Sequence, residues 1–121
     1  MPRLVIIIED SATCAETLQI ALEGIAGVEV RILQNPRAAL ALAATTEVAA
    51  VITDLHMPRA DGFELIRELR ADARFRNLPV LLISGDSDPR LPASALAVGA
   101  TAFFAKPYSP AAVRRRLEEL L

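Results

Sequence analysis

Residues 51–58 read VITDLHMP. An apolar run, Ala49 to Ile52, passes through Thr53 into Asp54, and Pro58 stops it. Such a run suits a strand buried on both faces, yet it ends in a carboxylate, a group that is costly to desolvate. Either Asp54 only bonds turn amides, or its charge is held at a strand tip for use.

Outward from this stretch, VAAVIT (48–53) is one of five short apolar runs, with LVIII (4–8), VEVRIL (28–33), PVLLIS (79–84) and TAFFA (101–105). Between them lie segments of helical spacing: SATCAETLQIALEGI (11–25), PRAALALAATTE (36–47), DGFELIRELRADARF (61–75) and PRLPASALAV (89–98). A final helix, SPAAVRRRLEELL (109–121), closes the chain. Strand and helix alternate five times, which predicts an α/β, doubly wound (βα)5 domain whose parallel sheet has helices on both faces. The alternation of Val28, Val30 and Ile32 with Glu29 and Arg31 suits an edge strand with one wet face.

Punctuation agrees. Asp61 can cap the third helix while Glu64 returns the bond. Pro36 and Pro110 suit first helical turns, and Gly99 suits the left-handed position beyond a helix end. Pro89 and Pro92 predict a fourth helix that is short or irregular at its start.

The 121 residues suit one domain, 1–121, that hides roughly two-thirds of its surface on folding. With 53% hydrophobic and 23% charged residues the chain is globular rather than disordered. A net charge of -2 and a pI near 5.4 argue against a nucleic-acid-binding surface over the whole domain. One cysteine precludes an internal disulfide and fits a reducing compartment. No stretch approaches the ~18–20 apolar residues of a membrane span, and MPRLVIII is too short for a signal peptide, so a cytoplasmic location is expected.

The residues that end the runs carry the chemistry. They are Glu9 and Asp10 after the first, Asp54 after the third, Ser84 in the fourth and Lys106 after the fifth. In a doubly wound sheet these ends share one edge, where ligands bind at the reversal of strand order. Order 2-1-3-4-5 puts that crevice between strands one and three, with Glu9, Asp10 and Asp54 facing each other. Three carboxylates so close need a countercharge, and a hard cation such as Mg2+ supplies it. Lys106 adds positive charge, and the Ser84 hydroxyl can donate to an oxyanion. Together they describe a pocket that neutralises a phosphoryl group while a carboxylate, Asp54, attacks it.

In order and spacing, IIEDS (7–11), TDLHMP with DG (53–58, 61–62), LLISG (81–85) and GATAFFAKP (99–107) resemble the receiver domain of the response-regulator family of two-component signalling. The resemblance covers nearly the whole chain, Leu4 to Leu121, and implies the flavodoxin-like fold. It implies that Asp54 accepts a phosphoryl group from a partner histidine kinase or phosphotransfer protein. Asp10 would ligate Mg2+ directly, Glu9 through water, and His56 through its backbone carbonyl. Lys106 would pair with the phosphoryl oxygens, Ser84 would bond them and move inward, and Phe103 would rotate into the vacated space. That shift would change the face made by helix four, strand five and helix five, where a downstream effector or a second copy docks in such a family. It also implies a cis bond at Lys106-Pro107, and a signalling switch with only Mg2+-assisted self-phosphorylation and dephosphorylation rather than an enzyme. The chain departs from the common pattern at Glu9, where many members have Asp, and at Phe103, which lacks a tyrosine hydroxyl. His56 and Asp86 fill two positions that tune phosphoryl lifetime in the family.

Blander readings are set beside these. Asp10 could merely cap the first helix. Cys14 is read as a small packing residue, and His56 as a solvated side chain whose carbonyl alone is used. Arg114, Arg115 and Arg116 are read as a solvated face, because Glu118 and Glu119 follow the first two at i+4. Two other functions compete. An aspartyl-phosphate hydrolase resembling the haloacid dehalogenases would want a second Asp two residues after Asp54, where His56 stands. A phosphorylation-independent binding module would not need the intact pocket.

Overall fold

The computed structural model describes residues 2–57 and 60–121, so Pro58, expected to stop the third strand, lies outside the described residues. Its strands are β1 (Arg3–Ile8), β2 (Val28–Leu33), β3 (Ala50–Asp54), the two-residue pair β4 (His56–Met57) and β5 (Ala60–Asp61), β6 (Val80–Ser84) and β7 (Ala102–Ala105). The helices are α1 (Ala12–Glu23), α2 (Pro36–Thr45), α3 (Gly62–Ala71), α4 (Leu91–Val98) and α5 (Pro110–Leu120). The main sheet is parallel in the order β2-β1-β3-β6-β7. Leaving aside the small antiparallel β4–β5 pair, this is the 2-1-3-4-5 order of the flavodoxin-like fold that the resemblance implied.

The three central strands are buried over nearly their whole length, because helices cover both faces. Alternate side chains divide the core. Ile6, Ile8, Val51 and Leu82 pack with Leu65, Ile66 and Leu69 of α3 and Leu91 and Ala95 of α4. Val5, Ile7, Ile52, Leu81 and Ile83 pack with Leu18 and Leu22 of α1 and Val113 and Leu117 of α5. Each such aliphatic side chain contributes about 1.5–3 kcal/mol on burial, so these two layers hold the sheet. The edge strand β2 exposes Glu29 and Arg31 as predicted.

Register aligns the strand tips. Ile8 pairs with Thr53, Asp54 with Ile83, and Ser84 with Ala105. Glu9 is therefore level with Asp54, and Ser84 and Lys106 each step one residue further along the same edge.

The helix ends show where local chemistry overrides the sequence pattern. Pro36 and Pro110 open α2 and α5, and Gly99 ends α4 at φ 112. Asp61 caps α3 by accepting the N–H of Phe63 at 2.8 Å, but no bond returns from Glu64 among the described residues, so the capping box is half made. The expected helix 61–75 stops at Ala71, because the Asp72 carboxylate accepts the N–H of Arg74 and starts a separate 3-10 turn, Ala73–Phe75. α4 is short and has no side-chain cap at its start, as the Pro89 and Pro92 pair predicts.

Candidate functional site

Glu9, Asp54 and Ser84 are buried at the carboxyl edge of the sheet, and Asp10 beside them is exposed. Burial this deep is tolerated only because the polar atoms find partners; no buried side-chain nitrogen or oxygen lacks one among the described residues. Lys106 supplies the charge. Its Nζ donates to Asp54 Oδ2 at 3.0 Å and to Glu9 Oε2 at 3.1 Å. The other Glu9 oxygen, Oε1, accepts the N–H of Ser11 at 3.1 Å. Ligand oxygens of Glu9, Asp10 and Asp54 all lie within 4.8 Å of one another.

The electrostatics follow from this arrangement. Burial pushes the Glu9 carboxyl above its ordinary value, against the lowering by the Ser11 N–H and Lys106. Burial alone would lower the Lys106 ammonium, but its bonds to Asp54 and Glu9 outweigh that and hold it well above its ordinary value. The ammonium is thus firmly charged, and it faces two carboxyl groups, Asp54 and Glu9, with Asp10 a third beside them.

Specific bonds decide among the blander readings. Ser11, not Asp10, caps α1, accepting from the Cys14 N–H. Asp54 accepts from the Lys106 ammonium rather than from any turn amide among the described residues. Cys14 is half-buried and lines a cavity of about 520 Å3 with Thr13, Thr17, Lys106, Pro107 and Tyr108, rather than filling the core. Arg114 pairs with Glu118 at 3.0 Å as expected, but Glu119 pairs with Arg116 at i+3, not with Arg115.

Backbone contacts fix the position of Asp54. The Leu55 N–H donates to Ile83 O at 2.9 Å, and the buried Thr53 hydroxyl donates to the carbonyl of Asp54 at 2.9 Å. Gly62 passes so close that a Cβ there would lie 2.7 Å from Asp54 O and 3.1 Å from Leu55 Cα. Only glycine fits that approach. The Lys106-Pro107 bond is cis, as the resemblance implied.

Phe103 is half-buried on the α3/α4 side of the sheet and Phe104 on the α1/α5 side, the alternation of a strand. His56 is exposed but not merely solvated: its Nε2 lies 3.1 Å from Asp86 Oδ2. Asp86 is also tied to Ser84, donating its N–H to Ser84 Oγ at 3.0 Å. This link between the β3 and β6 loops escaped the sequence, because 30 residues separate His56 from Asp86 and neither terminates an apolar run.

The chain's similarities point the same way. A family model described as the response regulator receiver domain matches residues 5–118. A chemotaxis protein CheY homolog of Campylobacter jejuni is 25% identical over 96% of this chain and 90% of its own. The chemotaxis protein CheY1 of Helicobacter pylori is 30% identical over 66% of this chain and 64% of its own, so the match spans less than two-thirds of that relative. The response regulator MprA of Mycolicibacterium vanbaalenii is 31% identical over the whole chain, which spans 51% of that longer protein. Among solved structures, CheY4 of Vibrio cholerae aligns over 100% of both chains at TM-score 0.87 and 28% identity. A putative response regulator of Chloroflexus aurantiacus aligns over 99% of this chain and 98% of its own, at TM-score 0.90 and 29% identity. With fold, edge chemistry and family match in agreement, the chain belongs to the response regulator receiver domain family.

Proposed function

We propose that Asp54 is the phosphoryl acceptor of a two-component signalling switch. The observation that carries this is the triple contact at the sheet edge: one ammonium, Lys106, bonded at once to Asp54 and Glu9, with Asp10 completing a cluster of carboxylates. With a cation held among the carboxylates, such a site can accept a group that brings negative oxygens to Asp54, and positioning with charge stabilisation supplies most of phosphoryl-transfer catalysis.

The donor set is all hard oxygen, which fits Mg2+. Asp10, Asp54 and the His56 carbonyl would hold the ion directly. Glu9 would act through water, in keeping with both of its oxygens being engaged by Ser11 and Lys106. When bound, Mg2+ would supply the charge that offsets the carboxylates and the incoming phosphoryl oxygens. An Asp54 carboxylate oxygen forms the new bond to phosphorus as the donor phosphohistidine's P–N bond breaks and its imidazole leaves, and Lys106 then pairs with a phosphoryl oxygen. The Ser84 hydroxyl donates to another, and Phe103 follows into the space Ser84 leaves. The donor is a partner histidine kinase or phosphotransfer protein, and the altered α4, β7 and α5 face acts on a downstream effector or a second copy. Incubation with Mg2+ and acetyl phosphate should give an acyl phosphate that hydroxylamine removes; a hydroxylamine-resistant label would place the phosphoryl group elsewhere.

A further inference from the structure

The peptide that leaves β3, between Asp54 and Leu55, is tied at both of its polar ends. Its N–H donates to Ile83 O at 2.9 Å, and its carbonyl, Asp54 O, accepts the Thr53 hydroxyl at 2.9 Å. The next carbonyl, Leu55 O, accepts the Gly62 N–H at 2.9 Å. The backbone is thus pinned from Thr53 to Leu55, and the carbonyl after it is that of His56.

The hydroxyl stands in for a rung that the sheet lacks. Val51 and Leu55 donate toward β6, to Pro79 O and Ile83 O, so the alternate residue Asp54 turns its carbonyl toward β1. The pairing of β1 with β3 stops one residue earlier, at Ile8 and Thr53. Among the described residues no backbone N–H outside the ladders donates to Asp54 O. Gly62, itself buried, closes over the same oxygen, since a Cβ there would lie 2.7 Å from it. A buried carbonyl stripped of its donor would lose a bond that nothing nearby replaces.

Thr53 is fully buried in a strand otherwise apolar up to Asp54. Valine has the same shape and suits such a strand, so packing alone gives no reason for a hydroxyl. Its bond supplies one. A turn of the Asp54–Leu55 peptide would re-aim the Asp54 side chain relative to Lys106 and carry the His56 carbonyl with it.

We infer that Thr53 is a positioning residue for phosphoryl transfer: its hydroxyl locks the Asp54–Leu55 peptide, and so holds the Asp54 carboxylate and the His56 carbonyl in fixed relation. Thr53 itself touches neither the ion nor the phosphoryl group. This rests on the phosphoryl-acceptor reading above.

Two variants and one measurement on the unaltered protein test it. Thr53→Val removes the hydroxyl and keeps the shape; Thr53→Ser keeps the hydroxyl and removes the methyl. With Mg2+ and acetyl phosphate, labelling of Asp54 should slow about tenfold in Thr53→Val, because small misplacements of reacting groups are costly. Thr53→Ser should label within about twofold of the parent, although its lost methyl makes it less stable in urea. Calorimetric titration should show Mg2+ binding weakened in Thr53→Val and restored in Thr53→Ser. In the unaltered protein, NMR should find a slowly exchanging Thr53 hydroxyl proton coupled to the Asp54 carbonyl carbon. A freely exchanging hydroxyl would overturn the inference without any variant. So would a Thr53→Val that labels as fast as the parent, or a Thr53→Ser as slow as Thr53→Val, which would trace the effect to packing. An unaltered protein that takes no label with Mg2+ would instead overturn the acceptor reading itself, and the role of Thr53 with it.

Discussion

Lys106 Nζ stands 3.0 Å from Asp54 Oδ2, joining the last strand of the sheet to its centre. The same ammonium reaches Glu9 at 3.1 Å, so one cation serves two buried carboxylates. On the reading above, it is the group that a phosphoryl oxygen would take over from Asp54.

Lys106→Ala should therefore destabilise the domain at neutral pH. The expected loss is about 1–3 kcal/mol in urea denaturation, below the usual cost of breaking a fully buried pair, because the Lys106 side chain is 26% exposed. The pH dependence has a definite sign. A raised ammonium contributes its stability in full below its ordinary value of 10.5 and loses it as pH rises through the higher folded value. The gap between the two proteins should stay constant from neutral pH to about 10.5 and close only above that. With the competing cation gone, Mg2+ should bind Lys106→Ala more tightly, as calorimetric titration would read.

Gly62→Ala should strike stability and labelling together. The added methyl meets backbone, Asp54 O at 2.7 Å and Leu55 Cα at 3.1 Å, and cannot swing away. A loss of about 1–3 kcal/mol is expected for overpacking, with slower reaction of Asp54 toward acetyl phosphate in the folded fraction. A variant as stable and as reactive as the parent would show that the β3–α3 contact does not set the nucleophile.

Gly99→Ala and Arg70→Met address the carboxyl end of α4. Gly99 has φ 112, and a Cβ there would lie 2.8 Å from Arg70 Cγ. Gly99→Ala is expected to cost about 1–3 kcal/mol through the left-handed conformation alone. Arg70→Met, which strips three carbonyls of their donor, should cost a similar about 1–3 kcal/mol. Because both act on one contact, the double variant should lose less than the sum, a double-mutant cycle that chemical denaturation resolves.

Asp88 offers a second pH test. The Arg90 side chain, and then its N–H, pull the Asp88 carboxyl from 3.8 down to about 2. A depressed folded value means that its contribution to stability is present above pH 3.8 and is lost as pH falls through about 2. Carboxyl carbon NMR should place the Asp88 midpoint near 2, and Arg90→Ala should return it toward 3.8.

Much of this was legible in the chain because strand tips announce themselves. LVIII running into Glu9-Asp10, and VAAVIT into Asp54, place charge directly after apolar residues, and parallel register then brings such tips together. The 3.6-residue spacing located the five α-helices of the described residues, though not the 3-10 turn Ala73–Phe75. What stayed hidden depends on single hydrogen bonds. Asp72 could have extended α3 or begun a turn, and only its bond to the Arg74 N–H decides. Ser11 and Asp10 are both good caps in type, and the chain chose Ser11, which leaves Asp10 free for the site. The His56–Asp86 pair, the β4–β5 strand pair and the Lys106 bond to Glu9 join distant segments at side-chain precision, for which periodicity carries no signal.

The most direct test is intact-mass spectrometry after incubation with Mg2+ and acetyl phosphate, with peptide mapping and an Asp54→Asn control. The added mass of one phosphoryl group should appear, mapped to Asp54, absent from Asp54→Asn and absent when EDTA replaces Mg2+. A label of equal size on Asp54→Asn, or no label on the unaltered protein with Mg2+ present, would contradict Asp54 as the acceptor.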